Sequence, residues 1–433
     1  MRVESGRTDG SPLPGRLLRN TVILAVSSVG GAALSFVLSV LIGRALGQDG
    51  LGVYATALAW VFPLSLVAEF GIGTLITRDM AVNPAAAPVY LRLAATSRLL
   101  LGGSLTLLLV LGAPLVSHNP AVARGLQLSA PLVLILPFFS LFSAVFRARQ
   151  AMWPIPWLNI GMLAAQVALT AAVFAAGGDV LAALAVNTLT SAGQLVAAWW
   201  VWRRWFAAHP SNNPLPGYRE GQMRQVYGLL RRAWPFALAA VLAAVQLRLN
   251  AVLLERLATT GEAGYYAAAA RFAEAGRVIP NALFGALFPA LAALAADKYS
   301  LERAFRRVML GLAVFGLALA LVVTPLAGAL LSLTYGESFT PAAPVLAAAM
   351  WGLLFALLRG GRTLYWYARG GEQFTNAVTA ATLALQLALG LWLIPAHGAV
   401  GAALVGLLTE AMALLLLWRP KWFSTTRRYT PAG

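Results

Sequence analysis

Cysteine is absent from the chain, and charged residues make up only 11% of its 433 positions. The first absence excludes a disulfide framework and thiolate chemistry. The second excludes an ordinary soluble domain, in which about 25% of residues are charged. With 60% hydrophobic residues and a mean hydropathy of +0.75, the composition indicates a polytopic membrane protein.

Signatures of catalysis and of nucleotide hydrolysis are missing too. The three histidines, His118, His209 and His397, lie in predicted loops and form no nucleophile–histidine–acid pattern. No glycine-rich Walker loop is present, so ATP is not expected to drive the protein directly. The sequence predicts neither an enzyme nor a cofactor.

Long apolar runs recur along the whole chain. A helix needs about 20 residues to cross the hydrocarbon core of a bilayer. The first run is longer than the core of a signal peptide and is expected to remain as a transmembrane helix. Twelve runs reach membrane length: 21–42, 52–77, 94–116, 124–146, 154–176, 180–202, 233–255, 263–294, 305–333, 341–366, 374–394 and 399–418.

The net charge of +17 would suggest a nucleic-acid partner in a soluble protein. Here the positions of the basic residues along the chain indicate the membrane topology instead, and no nucleic-acid partner is expected. Most basic residues fall in alternate connections and in both termini, whereas the opposite connections hold only Arg44, Arg124 and Arg256. The positive-inside rule therefore places both termini in the cytoplasm and requires an even number of crossings.

Two offsets reveal an internal duplication. An offset of 220 residues aligns segment 148–184 with segment 368–404, and an offset of 212 aligns the earlier helices. The second offset pairs Arg44 with Arg256, Gly52 with Gly264, and Tyr54 with Tyr266. Each half holds six runs, which indicates a parallel repeat with its axis along the membrane normal, a known transporter design.

These patterns predict an all-α integral membrane protein, with twelve transmembrane helices in two pseudo-symmetric six-helix lobes around a central cavity. The proline- and asparagine-rich stretch near residue 210 marks the boundary between the lobes. The predicted parts are a cytoplasmic N-terminal tail (1–19), an N-lobe (20–205), a cytoplasmic linker (206–228), a C-lobe (229–418) and a cytoplasmic C-terminal tail (419–433).

Several segments, in order and spacing, resemble one known family. They are 46–54 (LGQDGLGVY), 69–79 (EFGIGTLITRD), 264–272 (GYYAAAARF), 335–346 (YGESFTPAAPVL) and 394–403 (IPAHGAVGAA). The chain is similar to lipid-linked oligosaccharide flippases of the O-antigen type, in the multidrug/oligosaccharidyl-lipid/polysaccharide exporter superfamily.

The resemblance implies a multi-pass protein of the bacterial cytoplasmic membrane that works by alternating access. It implies that an anionic polyprenyl-diphosphate-linked glycan moves from the cytoplasmic to the outer leaflet for cell-surface polysaccharide synthesis. The partners that it implies are the lipid bilayer, the glycan substrate and other membrane proteins of polysaccharide assembly. The alternatives are a cation-coupled multidrug antiporter of the same superfamily and an enzymatic or non-transporting component of glycan assembly.

One departure from the family concerns the seventh run. Where such proteins often carry a carboxylate, this chain has Arg248 and Asn250. A cation or proton site built on that carboxylate is therefore missing, which leaves the mode of energy coupling open.

Ionisable residues at membrane depth are functional candidates, because burying a charge in hydrocarbon is costly. Arg248, Asn250 and Arg271 are candidates for holding the diphosphate or the glycan, since an arginine offers a planar fork of donors. Arg271 and Glu274 share a helix face at i and i+3, so a structural ion pair is the alternative. Arg277 is a candidate for pairing or coupling, or for reaching out to the interface.

Three further candidates lie nearer the cytoplasmic face. Arg78 and Arg98 are predicted near the ends of the second and third helices, where they would attract an anionic lipid or serve only as topological anchors. Glu69 is predicted to pair with Arg98 or to bind sugar hydroxyls. Gln166 and Gln386 occupy repeat-related positions, which predicts hydrogen bonds between helices.

Overall fold

The computed structural model describes residues 13–82, 87–149, 151–206, 222–293, 298–367 and 369–418. Within these ranges the regular structure is helical throughout. The helices are α1 (Leu13–Glu69), α2 (Ile72–Val82), α3 (Ala87–Val116), α4 (Pro120–Ser129), α5 (Leu132–Ala148), α6 (Pro154–Ala175), α7 (Val180–Val201), α8 (Gln222–Leu257), α9 (Thr260–Ala293), α10 (Lys298–Tyr335), α11 (Ala343–Tyr367) and α12 (Glu372–Trp418).

Some predictions concern residues outside this description. They are the tail before residue 13, the linker segment 207–221, the C-terminal tail 419–433 and the side chain of Arg78. Below, the described residues before the linker are called the N-terminal half and those after it the C-terminal half.

Capping residues and proline set several helix boundaries. Asn119 accepts a hydrogen bond from the backbone N–H of Ala121 at 2.9 Å and caps α4, and Asp179 caps α7 through Ala182 at 3.0 Å. The predicted run 124–146 lies within one membrane-length segment, Pro120–Ala148, although its helix is interrupted before Leu132. Pro131, which has no N–H to donate, lies at this interruption.

Two helices are much longer than one membrane crossing. α1 has 57 residues and α12 has 47, and each contains one residue with non-helical backbone angles. These residues are Gly47, with φ 67°, and Gly398, with φ 51°. Glycine adopts positive φ without steric cost, so a single residue turns the chain between the predicted runs 21–42 and 52–77 and between the predicted runs 374–394 and 399–418.

Nine helical segments of the described ranges are long and apolar enough to cross a membrane, against the twelve predicted. Two of the nine, Ser27–Glu69 and Glu372–Trp418, contain the glycine breaks. Helix α9 is not among the nine, and it carries Arg271, Glu274 and Arg277. The chain is therefore an all-helical membrane protein with many membrane-length helices.

The two halves meet in a reciprocal backbone contact between segments 48–52 and 260–264. A Cβ atom on Gly52 would lie 1.8 Å from the carbonyl oxygen of Thr260, and one on Gly264 would lie 1.9 Å from that of Gln48. At the offset of 212, Gln48 corresponds to Thr260 and Gly52 to Gly264. The contact thus has the twofold symmetry of the repeat, and it requires glycine on both sides. We call it the paired-turn contact.

Repeat-related arginines extend the paired-turn contact. The Arg44 Nε donates to the carbonyl of Thr334 at 2.6 Å, near the C-terminus of α10. Arg256 donates to the carbonyl of Leu115 at 3.0 Å, near the C-terminus of α3. A cation is favourable at a helix C-terminus, where unpaired carbonyls carry partial negative charge. Each half therefore caps a helix of the other half at the same end of the molecule.

A different contact joins the halves at the opposite end. Arg232 of α8 forms an ion pair with Asp79 of α2 at 2.8 Å, and Phe70 packs on Trp234 at a ring separation of 6.2 Å. The first turns of α8 share an apolar cluster with α2, α3 and α5. Phe70 has φ 51°, so the chain breaks between α1 and α2 where a continuous helix 52–77 was predicted.

We expect Gly52→Ala to destabilise the protein by about 1–3 kcal/mol, the range for overpacking, because backbone atoms on both sides must shift. The measurement is thermal unfolding of the purified variant. Gly161→Ala in α6 is the matched control, since a Cβ there meets nothing within 4 Å. An equal melting temperature for the two variants would contradict the close approach.

Candidate substrate-binding cavity

A cavity of about 430 Å³ lies mainly in the C-terminal half. Its walls come from α8, α9, α11 and α12, and Ala55 and Leu58 of α1 contribute from the N-terminal half. Its ionisable lining residues are Arg248, Arg271, Glu274, Arg277, Arg359 and Glu410. The cavity thus combines apolar walls with a few convergent polar groups, as ligand sites do.

Glu274 lies between two arginines. Its carboxylate accepts a hydrogen bond from the Arg271 Nη1 at 2.7 Å, and it lies 4.0 Å from the Arg248 Nη1. The i,i+3 spacing brings Arg271 and Glu274 together on one face of α9, and α8 brings in Arg248 beside them. The three side chains remain 26–39% exposed, so they are paired without being sealed off.

Both arginines also reach α1. The Arg271 Nη1 donates to the Ser35 hydroxyl at 3.0 Å, and the Arg248 guanidinium lies 5.2 Å from the centre of the Phe62 ring. A cation over an aromatic face is attracted by the ring quadrupole. The charged cluster therefore lies where the two halves face each other.

Unused donors remain in the cavity. The Nε atoms of Arg248 and Arg277 are buried and have no hydrogen-bond partner among the described residues. A buried donor without a partner is costly, which favours a ligand that accepts hydrogen bonds. Both carboxylates of the lining are already engaged with arginines, Glu274 as above and Glu410 with Arg359. The unpartnered groups of the cluster are therefore cationic.

Asn250 borders the cavity but is only 2% exposed. It donates to the carbonyl of Ala402 at 2.9 Å and accepts from Gln386 at 2.9 Å. In the N-terminal half, Gln166 donates to the Tyr54 hydroxyl at 3.0 Å. The predicted hydrogen bonds of Gln166 and Gln386 between helices are thus confirmed, and Asn250 belongs to the same kind of network.

The Arg359–Glu410 pair is a feature that the sequence analysis missed. The Arg359 Nε donates to Glu410 in a short contact, and a second bond to the same carboxylate measures 3.2 Å. Neither Arg359 nor Glu410 is among the site residues predicted from the sequence. Their separation of 51 residues gives no local signal, although both fall within long apolar runs.

The remaining candidates do not line the cavity. Arg98 is 0% exposed, and none of its three guanidinium nitrogens has a partner among the described residues. It therefore lies inside the N-terminal half, where no lipid headgroup reaches it in this conformation. Glu69 accepts from the Ser140 hydroxyl at 2.6 Å rather than bonding to Arg98. The side chain of Arg78 lies outside the described residues.

The charged cluster has no counterpart in the N-terminal half. At the offset of 212, the residues that correspond to Arg248, Arg271, Glu274 and Arg277 are Phe36, Ala59, Phe62 and Ser65. The scaffold is therefore duplicated, but the ionic chemistry of the cavity is carried by one half.

Membrane-length helices with an internal repeat and a polar cavity between the halves define a membrane transport fold. Residues 17–295 match the sequence profile of the polysaccharide biosynthesis protein family. The chain belongs to this family. No curated protein matches the chain in sequence.

Solved structures share the fold. The chain is similar to lipid II flippase MurJ in an inward closed conformation, with a TM-score of 0.74 and 13% identity over 92% of this chain and 86% of that one. It is similar to an inward-facing multidrug resistance MATE family transporter of the MOP superfamily, with a TM-score of 0.74 and 14% identity over 90% and 93%. It is also similar to a MOP superfamily transporter from Pyrococcus furiosus, with a TM-score of 0.63 and 12% identity over 92% of this chain and 94% of that one. These fold relatives are transporters and flippases, not enzymes.

We expect Arg359→Gln and Glu410→Gln each to destabilise the protein by roughly 3–5 kcal/mol, because each leaves one charge unpaired. The double variant Arg359→Gln/Glu410→Gln should recover most of the loss. Unfolding of the three purified variants measures the coupling. Additive losses in the double variant would show that the two side chains act independently.

Proposed function

We propose that the protein is an alternating-access flippase that moves a polyprenyl-diphosphate-linked oligosaccharide from the cytoplasmic to the outer leaflet. The observation that carries the proposal is the cluster of Arg248, Arg271 and Arg277, which lines the cavity of the C-terminal half where α1 faces it and includes one carboxylate, that of Glu274.

The proposed architecture has twelve crossings in two lobes, residues 20–205 and 229–418. Helices α1 and α12 each supply two crossings, one on either side of Gly47 and Gly398. Helix α9 supplies a further crossing, since its 34 residues are long enough and its charges face the cavity rather than lipid. The even number agrees with cytoplasmic termini in a bacterial inner membrane.

An anionic diphosphate suits the chemistry of the cluster. An arginine at the centre of a membrane helix costs about 2.5–3.5 kcal/mol, so three of them need a compensating role. Arginine binds phosphate through two parallel hydrogen bonds, stronger than neutral ones. The unpartnered Nε donors of Arg248 and Arg277 are buried, so each would supply such a bond once its guanidinium turns toward the cargo, with the Arg271–Glu274 pair intact.

The contacts between the halves suggest which side is open. The paired-turn contact and the caps of Arg44 and Arg256 close one end, which the positive-inside rule makes the outer end. The cavity lining extends the other way, to Tyr367 at the end of α11 and Asn376 near the start of α12. The halves also meet at this opposite end, through the Arg232–Asp79 pair of α8 and α2, so we infer that the lipid-linked substrate enters from the cytoplasmic side along the α11 and α12 walls of the cavity.

The similar solved structures support the proposal but do not identify the substrate. MurJ is a lipid II flippase, which shows that this fold can serve a lipid-linked cargo. The likeness to multidrug transporters supports the second candidate, a cation-coupled drug antiporter. Such a protein would need free carboxylates for a cationic cargo, whereas Glu274 and Glu410 are both paired with arginine. A non-transporting or enzymatic role in glycan assembly would leave the cationic cluster unexplained, and partner proteins of that assembly stay a prediction.

We expect Arg271→Ala and Arg248→Ala each to abolish display of the surface glycan, because the cluster loses a phosphate donor. Membrane insertion should persist. The measurement is complementation of a deletion strain, scored by surface glycan and by the amount of protein in the membrane.

Arg303→Ala is the matched control, since this exposed arginine stacks on Tyr299 at 4.5 Å and lies away from the cavity. It should complement fully. Wild-type glycan display by both Arg271→Ala and Arg248→Ala would refute the cationic-cavity mechanism.

A further inference from the structure

A second concave site lies on the C-terminal half, apart from the cavity described above. It is a half-open groove of about 410 Å³ between the N-terminal part of α10 and the C-terminal ends of α11 and α12. Three arginines line it, Arg306, Arg362 and Arg369, with aromatic rings that include Phe305, Trp366 and Trp418. We call it the cationic groove.

Arg362 is fixed at the centre of the cationic groove by aromatic rings. Its guanidinium carbon lies 4.7 Å from the ring centre of Tyr365, 5.2 Å from Trp418 and 5.4 Å from Phe305. The Arg362 Nε donates to the carbonyl of Leu417 at 3.2 Å. One edge of the guanidinium is thus held by protein, which orients the charge before any ligand arrives.

The groove has more positive than negative charge. In the part of the chain that the structure describes, no carboxylate pairs with Arg306, Arg362 or Arg369. Arg369 donates instead to the Tyr365 hydroxyl at 2.9 Å. Among the described residues that line the groove, Glu302 is the one with an acidic side chain. Three arginines against one glutamate leave a site for an anion.

An apolar track leads away from Arg306 along α10. Leu310 and Val314 follow at i+4 and i+8, on the same helix face, and they are 65% and 60% exposed. Leu321, further along α10, is 56% exposed. An acyl chain can lie on this track while its phosphate meets the arginines. A free phosphate ion would leave the track unused.

We propose that the cationic groove binds the phosphate of an anionic phospholipid in the cytoplasmic leaflet. The leaflet follows from the orientation argued under the proposed function, and the binding itself does not depend on transport. Tryptophan and arginine together are typical of the headgroup level of a membrane. Each arginine near an anionic lipid surface strengthens binding about five-fold.

Native mass spectrometry of the purified full chain tests the site, with phosphatidylglycerol and phosphatidylcholine of the same acyl chains as probes. We expect wild-type protein to retain phosphatidylglycerol in preference to phosphatidylcholine. Arg306→Gln and Arg369→Gln should each weaken that retention about five-fold. Both variants leave Arg362 in its aromatic surroundings, so folding should be preserved.

Arg307→Gln is the matched control, because it removes the same charge from the next residue, which is exposed and does not line the groove. It should retain phosphatidylglycerol as the wild type does. Equal loss in Arg306→Gln and Arg307→Gln, or equal retention of the two lipids, would overturn the proposal. Displacement of the lipid by equimolar glycerol phosphate would show an anion site without a lipid component and would overturn it as well. The readout is lipid binding in detergent, which does not require transport. A failed lipid-binding test would therefore not contradict the flippase proposal, and a failed flippase test would not contradict lipid binding in the groove.

Discussion

The close approach of segments 48–52 and 260–264 is the constraint on which the arrangement of the two halves depends. Each backbone carbonyl passes so near the opposite glycine that no side chain fits. From this contact α9 runs along α1. At 1.5 Å per residue, Arg271 lies about 16 Å from the start of α9. The hydrogen bonds from Arg44 and Arg256 to carbonyls at helix C-termini add favourable electrostatic interactions at the same end. The cavity is therefore positioned by a contact that contains no cavity residue.

Symmetry in the scaffold contrasts with asymmetry in the chemistry. The paired-turn contact and the arginine caps repeat across the two halves. The ionic cluster does not, because Phe36 and Phe62 stand where the C-terminal half has Arg248 and Glu274. An aromatic ring at such a position still contributes, since Phe62 lies against the Arg248 guanidinium. One half thus provides charge, and the other provides a surface that orients it.

Local spacing explains what could be predicted from the sequence. The Arg271–Glu274 pair follows from helical periodicity, and the membrane-length runs follow from hydropathy. The Arg359–Glu410 pair could not be predicted, because only tertiary packing joins residues on α11 and α12. The break at Phe70 was also missed, although the next residue, Gly71, has φ 64° and is of the type that favours such a break. Arg98 was expected near the membrane surface but is buried, because hydropathy gives depth and not the direction that a side chain takes.

Alternating access, as proposed, requires the paired-turn contact to separate during each transport cycle. The chain has no cysteine, so an introduced pair is the only thiol pair present. Asp49→Cys/Thr260→Cys replaces side chains whose oxygens lie 2.9 Å apart across the contact. Gly328→Cys/Ala343→Cys is the control within the C-terminal half, since a Cβ atom on Gly328 would lie 4.0 Å from that of Ala343, a separation that a disulfide spans. The measurement is glycan display after oxidation and after reduction. The account predicts that oxidation arrests the first variant reversibly and spares the second, whereas continued transport by a fully cross-linked first variant would contradict it.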